Sequence, residues 1–134
     1  MAGYSEKSLA DKLGIKPGFK VAIIKAPSGY DRLIKEWPVG VSISRSLGGK
    51  YDFIHYFTKG RSVLEAVFQN LSQHIEKNGA LWISWPKQSS GVKTDLNDNV
   101  VREIGLAAGL VDVKVAAIDE TWSGIKFVYR LKDR

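Results

Sequence analysis

The segment Phe19-Lys20-Val21-Ala22-Ile23-Ile24-Lys25 is apolar at consecutive positions rather than at alternate ones. Side chains along a strand point to opposite faces, so a strand of this kind hides both faces from water. The segment Tyr51-Asp52-Phe53-Ile54-His55-Tyr56-Phe57 and residues 80–85 (Ala-Leu-Trp-Ile-Ser-Trp) repeat the pattern. Three such strands exclude an antiparallel sheet with one wet face. They call for a parallel sheet covered by helices on both sides.

The helices that such a sheet needs are written between the strands. A short one opens the chain, with Leu9 and Leu13 on one face, Ser5 as its cap and Gly14 as its stop. A second occupies residues 30–37 and is stopped by Pro38, and residues 39–44 make a brief strand. Leu64, Val67, Phe68, Leu71 and Ile75 form one stripe, with Ser62 and Glu65 as a capping box and Asn78-Gly79 as the far end. Another helix carries Leu96, Val100, Ile104 and Ala107/Ala108, stopped by Gly109. The last thirty residues switch to period two. Val111, Val113 and Val115 alternate with Asp112 and Lys114, and Ile125, Phe127, Tyr129 and Leu131 alternate with Lys126, Arg130 and Lys132. The order α-β-α-β-β-α-β-α-β-β predicts a single α/β domain over 1–134, with residues 1–14 as an N-terminal helical segment. The expected architecture is a three-layer Rossmann-like sandwich, its mostly parallel sheet ending in an antiparallel C-terminal strand.

Composition narrows the chemistry. The 134 residues include no cysteine, which excludes disulfides, thiolate metal sites and cysteine nucleophiles. With His55 and His74 as the only histidines, no metal site is expected. The net charge is +6, and residues 1–67 hold 11 basic and 6 acidic groups against 9 and 8 in residues 68–134. A basic half attracts phosphate, nucleic acid or a membrane surface. No run of five like charges occurs, and the expectation disfavours nucleic acid. No stretch reaches the roughly 20 apolar residues of a membrane span, and a cytoplasmic location is expected.

The C-terminal texture, "NGALWISWPK" followed by "REIGLAAGLVDVKVAAIDETWSGIKFVYR", resembles the class I S-adenosylmethionine-dependent methyltransferases. The resemblance covers roughly residues 19–132 and implies a last strand inserted antiparallel beside the one before it. It also implies a cofactor held on a glycine-rich loop after the first strand, with an acidic residue ending the second. Here those places read "KAPSGYDRL", with Gly29 alone, and Ser42-Ile43-Ser44-Arg45. No cofactor residues carry over, and none is expected. The first half is also a helix and a strand short of that fold. The strings "YSEKSLADKLGIKPGFKVAIIKAPSGY", "YDFIHYF", "LWISWPKQSSGVKTDL" and "VDVKVAAIDETWSG" are similar to a family of small bacterial proteins catalogued as a domain of unknown function.

Ligands of open α/β sheets sit outside the carboxyl ends of the strands. Residues 26–31, 85–95 and 119–124 are expected to meet there. Ser28 comes from the first; Trp85, Lys87, Ser89, Ser90, Lys93 and Thr94 from the second; Asp119 and Trp122 from the third. Lysines, hydroxyls and a helix start suit phosphate or carboxylate, against the plainer role of a solvated loop with Thr94 or Asp95 as an N-cap. Trp85 and Trp122 offer a stacking wall, or simply seal the core. Asp119 with Glu120 suits proton transfer, or ordinary turn solvation. Ser90-Gly91-Val92-Lys93 matches S-x-x-K without its companion motifs, and Gly48-Gly49-Lys50 lacks the rest of a phosphate loop. His55, inside an apolar strand, is expected to be a hydrogen-bonded core histidine. No acid–base–nucleophile set is visible. The sequence therefore favours a non-catalytic module binding a small anionic ligand or a protein partner. The alternative is a divergent methyltransferase-like or phosphate-ester enzyme using Lys87, Lys93 and Asp119; a weak nucleic-acid binder ranks third.

Overall fold

A computed structural model of the chain describes residues 8–134. They form α1 (Leu9–Leu13), β1 (Lys20–Ile24), α2 (Tyr30–Ile34), β2 (Ser42–Ser44), β3 (Tyr51–Phe57), α3 (Arg61–Gln73), β4 (Ile75–Pro86), α4 (Asp98–Ala107), β5 (Leu110–Ala117) and β6 (Trp122–Tyr129). All six strands join one sheet in the order β2-β1-β3-β4-β6-β5. β2, β1, β3 and β4 are parallel, and β6 runs antiparallel to both β4 and β5. This is the expected mostly parallel α/β sandwich. The last strand lies inside the sheet and β5 takes its edge.

The two-faced strands separate two cores. Leu81, Ile83 and Trp85 of β4 face α3 and α4, where they pack with Leu64, Phe68, Leu71, Val101 and Phe127. Trp82 of the same strand faces the opposite way, with Leu13 of α1, Tyr30 and Ile34 of α2, and Phe53 and Phe57 of β3. Each large side chain buried in this way contributes about 1.5–3 kcal/mol. The helices on the second face have only five residues each. They hold because their apolar stripes are buried, since helices so short have little stability of their own.

Several boundaries differ from the periodicity reading, each for a tertiary reason. The Ser5 cap lies outside the described residues; α1 is capped by Ser8, whose Oγ accepts from the Asp11 N–H. The Ser62–Glu65 capping box does not form. α3 starts at Arg61, and the carboxylate of Asp95 accepts from the Arg61 N–H at 2.7 Å, so a distant segment supplies the cap. Ile75 belongs to β4, because Tyr51 N–H bonds the His74 carbonyl and draws the chain into the sheet. Asn78 and Gly79 accordingly lie within β4 rather than ending a helix. α4 begins at Asp98 with Asn97 as cap, three residues beyond Asp95. In β5 the register shifts between Asp112 and Lys114, leaving Val113 and Val115 54% and 49% exposed at the edge.

Gly105 decides how closely α4 approaches the sheet. A Cβ there would lie 2.1 Å from Cε1 of Phe127, so the contact needs a bare backbone. Gly105→Ala is expected to destabilise by about 1–3 kcal/mol through overpacking, despite alanine's better helix propensity. The urea midpoint should fall with the slope unchanged; an unmoved midpoint would mean α4 stands further from β6.

Candidate functional site

The chain leaves β1 for β2 on one side and then crosses to β3 on the other. Connections diverge at such a reversal, and a crevice opens outside the carboxyl ends of the strands. Lys25 at φ 61 and Gly29 at φ 89 bend the β1–α2 loop back on itself. The cleft beside it has a volume of about 350 Å³, lined by Lys25, Ala26, Ser28, Tyr30 and Asp31 and closed by Arg45 from the end of β2. Arg45 Nη2 donates to both oxygens of Asp31, at 2.9 and 3.0 Å. Both side chains are more than half exposed, so the pair is worth no more than about 1 kcal/mol and exchanges readily for another anion. Across Pro27, Ser28 and Gly29 lies a second cavity of about 470 Å³, bounded by Arg32, Asp119 and Trp122.

A polar chain runs beneath the cleft. Tyr30, the first residue of α2, turns its hydroxyl inward to Nδ1 of His55 at 2.8 Å, and Nε2 of His55 meets Oγ of Ser84 at 2.7 Å. One ring nitrogen donates and the other accepts, each hydroxyl taking the complementary role. His55 stacks on Phe57 with ring centroids 4.2 Å apart and is closed in by Phe53 and Trp82. Complete burial lowers its pKa to about 3, so the ring is neutral. Burial likewise pushes the Tyr30 hydroxyl well up. His55 is thus a satisfied core histidine that ties the start of α2 to β3 and β4.

The candidate residues divide. Ser28, Asp119 and Trp122 come together around the second cavity. Asp119 Oδ1 accepts from the N–H groups of Thr121 and Trp122 and so braces its own turn. The loop at 87–94 turns toward the β3–α3 connection instead. Ser90 Oγ donates to the Lys87 carbonyl, and Thr94 Oγ1 donates to the Lys59 carbonyl and accepts from the Leu96 N–H. These hydroxyls close the loop, while Ser89 and Lys93 stay exposed and Lys87 is half-buried. The helix that follows starts later, already capped and with Asp98 in its first turn. The Trp85–Trp122 wall does not form: Trp85 is buried under α3 and α4, and Trp122 packs edge-on to Phe57 on the other face. Lys25 and Arg45 line the first cleft although neither is among the candidates named from the sequence, and Asp31 enters there only as part of the segment 26–31. The signal available was positional, since the loop after the first strand and the end of the second flank one reversal.

Among the described residues no group of His, Asp and Glu side chains is arranged to hold a metal, and no helix is long and apolar enough to cross a membrane. No family model matches the chain, and no curated protein matches it in sequence, so the likeness to the small bacterial family rests on the quoted strings. Solved structures do match. A SAM dependent methyltransferase from Aquifex aeolicus superposes with TM-score 0.63 at 14% identity, covering 89% of this chain and 86% of that one. Ribosomal protein L11 methylase from Lactobacillus delbrueckii subsp. bulgaricus gives 0.58 at 11% identity, with 91% and 75% covered. Magnesium protoporphyrin IX methyltransferase from Synechocystis PCC 6803, with bound SAH, gives 0.60 at 12%, with 91% and 78% covered. With its inserted antiparallel last strand and its cleft after β1, this chain has the fold of the SAM-dependent methyltransferases.

Proposed function

We propose that this is a divergent methyltransferase-like protein whose cleft at the β1–α2 loop receives a nucleoside-sized ligand bearing an anionic group. The observation that carries the reading is Arg45 at the end of β2, standing over a cleft of about 350 Å³ at the reversal of strand order. The cleft's position and room suit an adenosyl ligand. Its donor set does not suit the ribose of S-adenosylmethionine. A guanidinium has donors and no acceptor, whereas a diol is best held by a carboxylate that accepts from it. Asp31, the one carboxylate among the residues lining the cleft, comes from α2 rather than from the end of β2, where Arg45 stands. Lys25, Arg45 and the Ser28 hydroxyl together complement an anion.

The test is a melting series at matched ionic strength with adenosine phosphates, S-adenosylmethionine and its demethylated product. An adenosine phosphate at about 100 times its Kd should add about 2.7 kcal/mol, several degrees in Tm. Arg45→Gln should abolish that rise and move the free protein's Tm by a few degrees at most. Equal binding by the variant, or no rise with any phosphate, overturns the reading. A rise with S-adenosylmethionine alone would instead favour an unaltered methyltransferase cleft.

A further inference from the structure

On the face of the sheet that carries α1, four lysines from α1, the turn after it, β5 and β6 converge. Lys114 of β5 pairs directly with Lys126 of β6 across the antiparallel ladder. Lys126 Nζ lies 3.2 Å from where a Cβ on Gly14 would stand, at the end of α1. Lys114 Nζ donates to the Lys12 carbonyl, and Lys12 Nζ donates to the Ala117 carbonyl, both at 2.9 Å. Lys16, just past α1, is close enough with Lys114 to depress the pKa of Lys126, whose half-buried ammonium is first of all desolvated. The three ion pairs among the described residues, Arg45–Asp31, Arg61–Glu65 and Arg102–Asp112, include none of these lysines.

Like charges facing each other across a ladder destabilise a sheet. Two of these ammonium groups are nevertheless pinned by backbone carbonyls, each retaining two free donors. We propose that this face is a docking surface for the phosphodiester backbone of nucleic acid. The patch is spread over α1 and two strands rather than gathered round one cleft, although Lys16 also lines a cavity with Asp11 and Glu36, and that spread suits a polymer rather than a small enclosed anion. Its lysines contact phosphates without reading bases, so recognition is independent of sequence. The surface lies apart from Arg45, and the inference does not rest on the ligand proposed for the cleft.

Fluorescence anisotropy of a labelled 20-nucleotide mixed-sequence single-stranded RNA tests this. With about four phosphate contacts, affinity should fall roughly 50-fold between 50 and 200 mM salt. Lys114→Gln/Lys126→Gln should bind more weakly at low salt and lose only about sevenfold over the same range. Arg45→Gln should bind as wild type does. The double variant should melt no lower than wild type in the absence of RNA, because mutual repulsion is relieved. Lys16→Gln, on an exposed loop residue, gives a second reading in which the salt slope falls by a smaller step. No binding by wild type, an unchanged slope in both variants, or capture by anionic vesicles without RNA binding each overturns the proposal.

Discussion

Lowering the pH from 7.5 to 4 is expected to remove about 3 kcal/mol of stability through His55 alone. The folded ring has a pKa of about 3 against 6.5 for an ordinary histidine, because its burial disfavours the charged form. Between those values the unfolded chain binds a proton that the folded chain does not. Stability is therefore full above pH 6.5 and is lost as the pH falls from there toward 3. A domain of this size has about 5–15 kcal/mol in total, so the loss accumulates at about 1.4 kcal/mol per pH unit and weighs most at the lower end of that window. Urea titrations at pH 7.5, 5.5 and 4.5 measure it. His55→Gln keeps a polar group between Tyr30 and Ser84 but cannot gain a charge, so its stability should vary much less with pH. Parallel slopes for variant and wild type would assign the acid lability to other groups. The same titration bears on the cleft, since a protonated His55 can no longer accept a hydrogen bond from either hydroxyl and the start of α2 is tied down through Tyr30.

Trp82→Ala should be the most damaging single core substitution, at about 3–5 kcal/mol. Trp82 is fully buried between β4 and α1. Its indole N–H donates at 2.9 Å to the carbonyl of Leu13, the last residue of α1. Truncation leaves a large cavity and strips that carbonyl of its indole partner, at roughly a further 1 kcal/mol. Trp82→Phe retains most of the apolar area and loses only the N–H, so it should cost clearly less. Chemical denaturation gives the magnitudes. Limited proteolysis should find α1 cut first in Trp82→Ala, because a five-residue helix holds only while docked. A loss below 1 kcal/mol for Trp82→Ala would mean that α1 is anchored by something other than this indole.

The sheet and its covering helices were legible because burial on both faces writes itself as consecutive apolar residues, as in Val21-Ala22-Ile23 and Leu81-Trp82-Ile83. That Trp82 and Trp85, three apart on one strand, point to opposite faces follows from the sequence for the same reason, since strand parity is local, whereas the structure shows that both faces are core there. Helix ends were less so. Arg61 takes its cap from Asp95, thirty-four residues away, and no local motif encodes that. Ile75 fits the apolar stripe of α3 equally well as a helical or a strand residue, and the Tyr51 N–H bond to His74 decides between them.

Function-bearing placement followed the same division. Local chemistry pointed to the loop at 87–94 because it is rich in lysine and hydroxyls, but Ser90 spends its hydroxyl on the loop's own backbone and Thr94 donates to the Lys59 carbonyl. Arg45 and Asp31, 14 residues apart, become a pair only when β2 lies parallel to β1. Lys12, Lys16, Lys114 and Lys126 form no run in the chain, and the +6 net charge gives no hint that they share one face. The sequence by itself determined the layer architecture, the absence of thiol chemistry and the identity of the core, all of which depend on residue type and near-neighbour spacing. Only the tertiary structure decided which polar groups are satisfied and which charges converge, because hydrogen bonds and Coulomb repulsion act over a few ångströms that chain separation does not report.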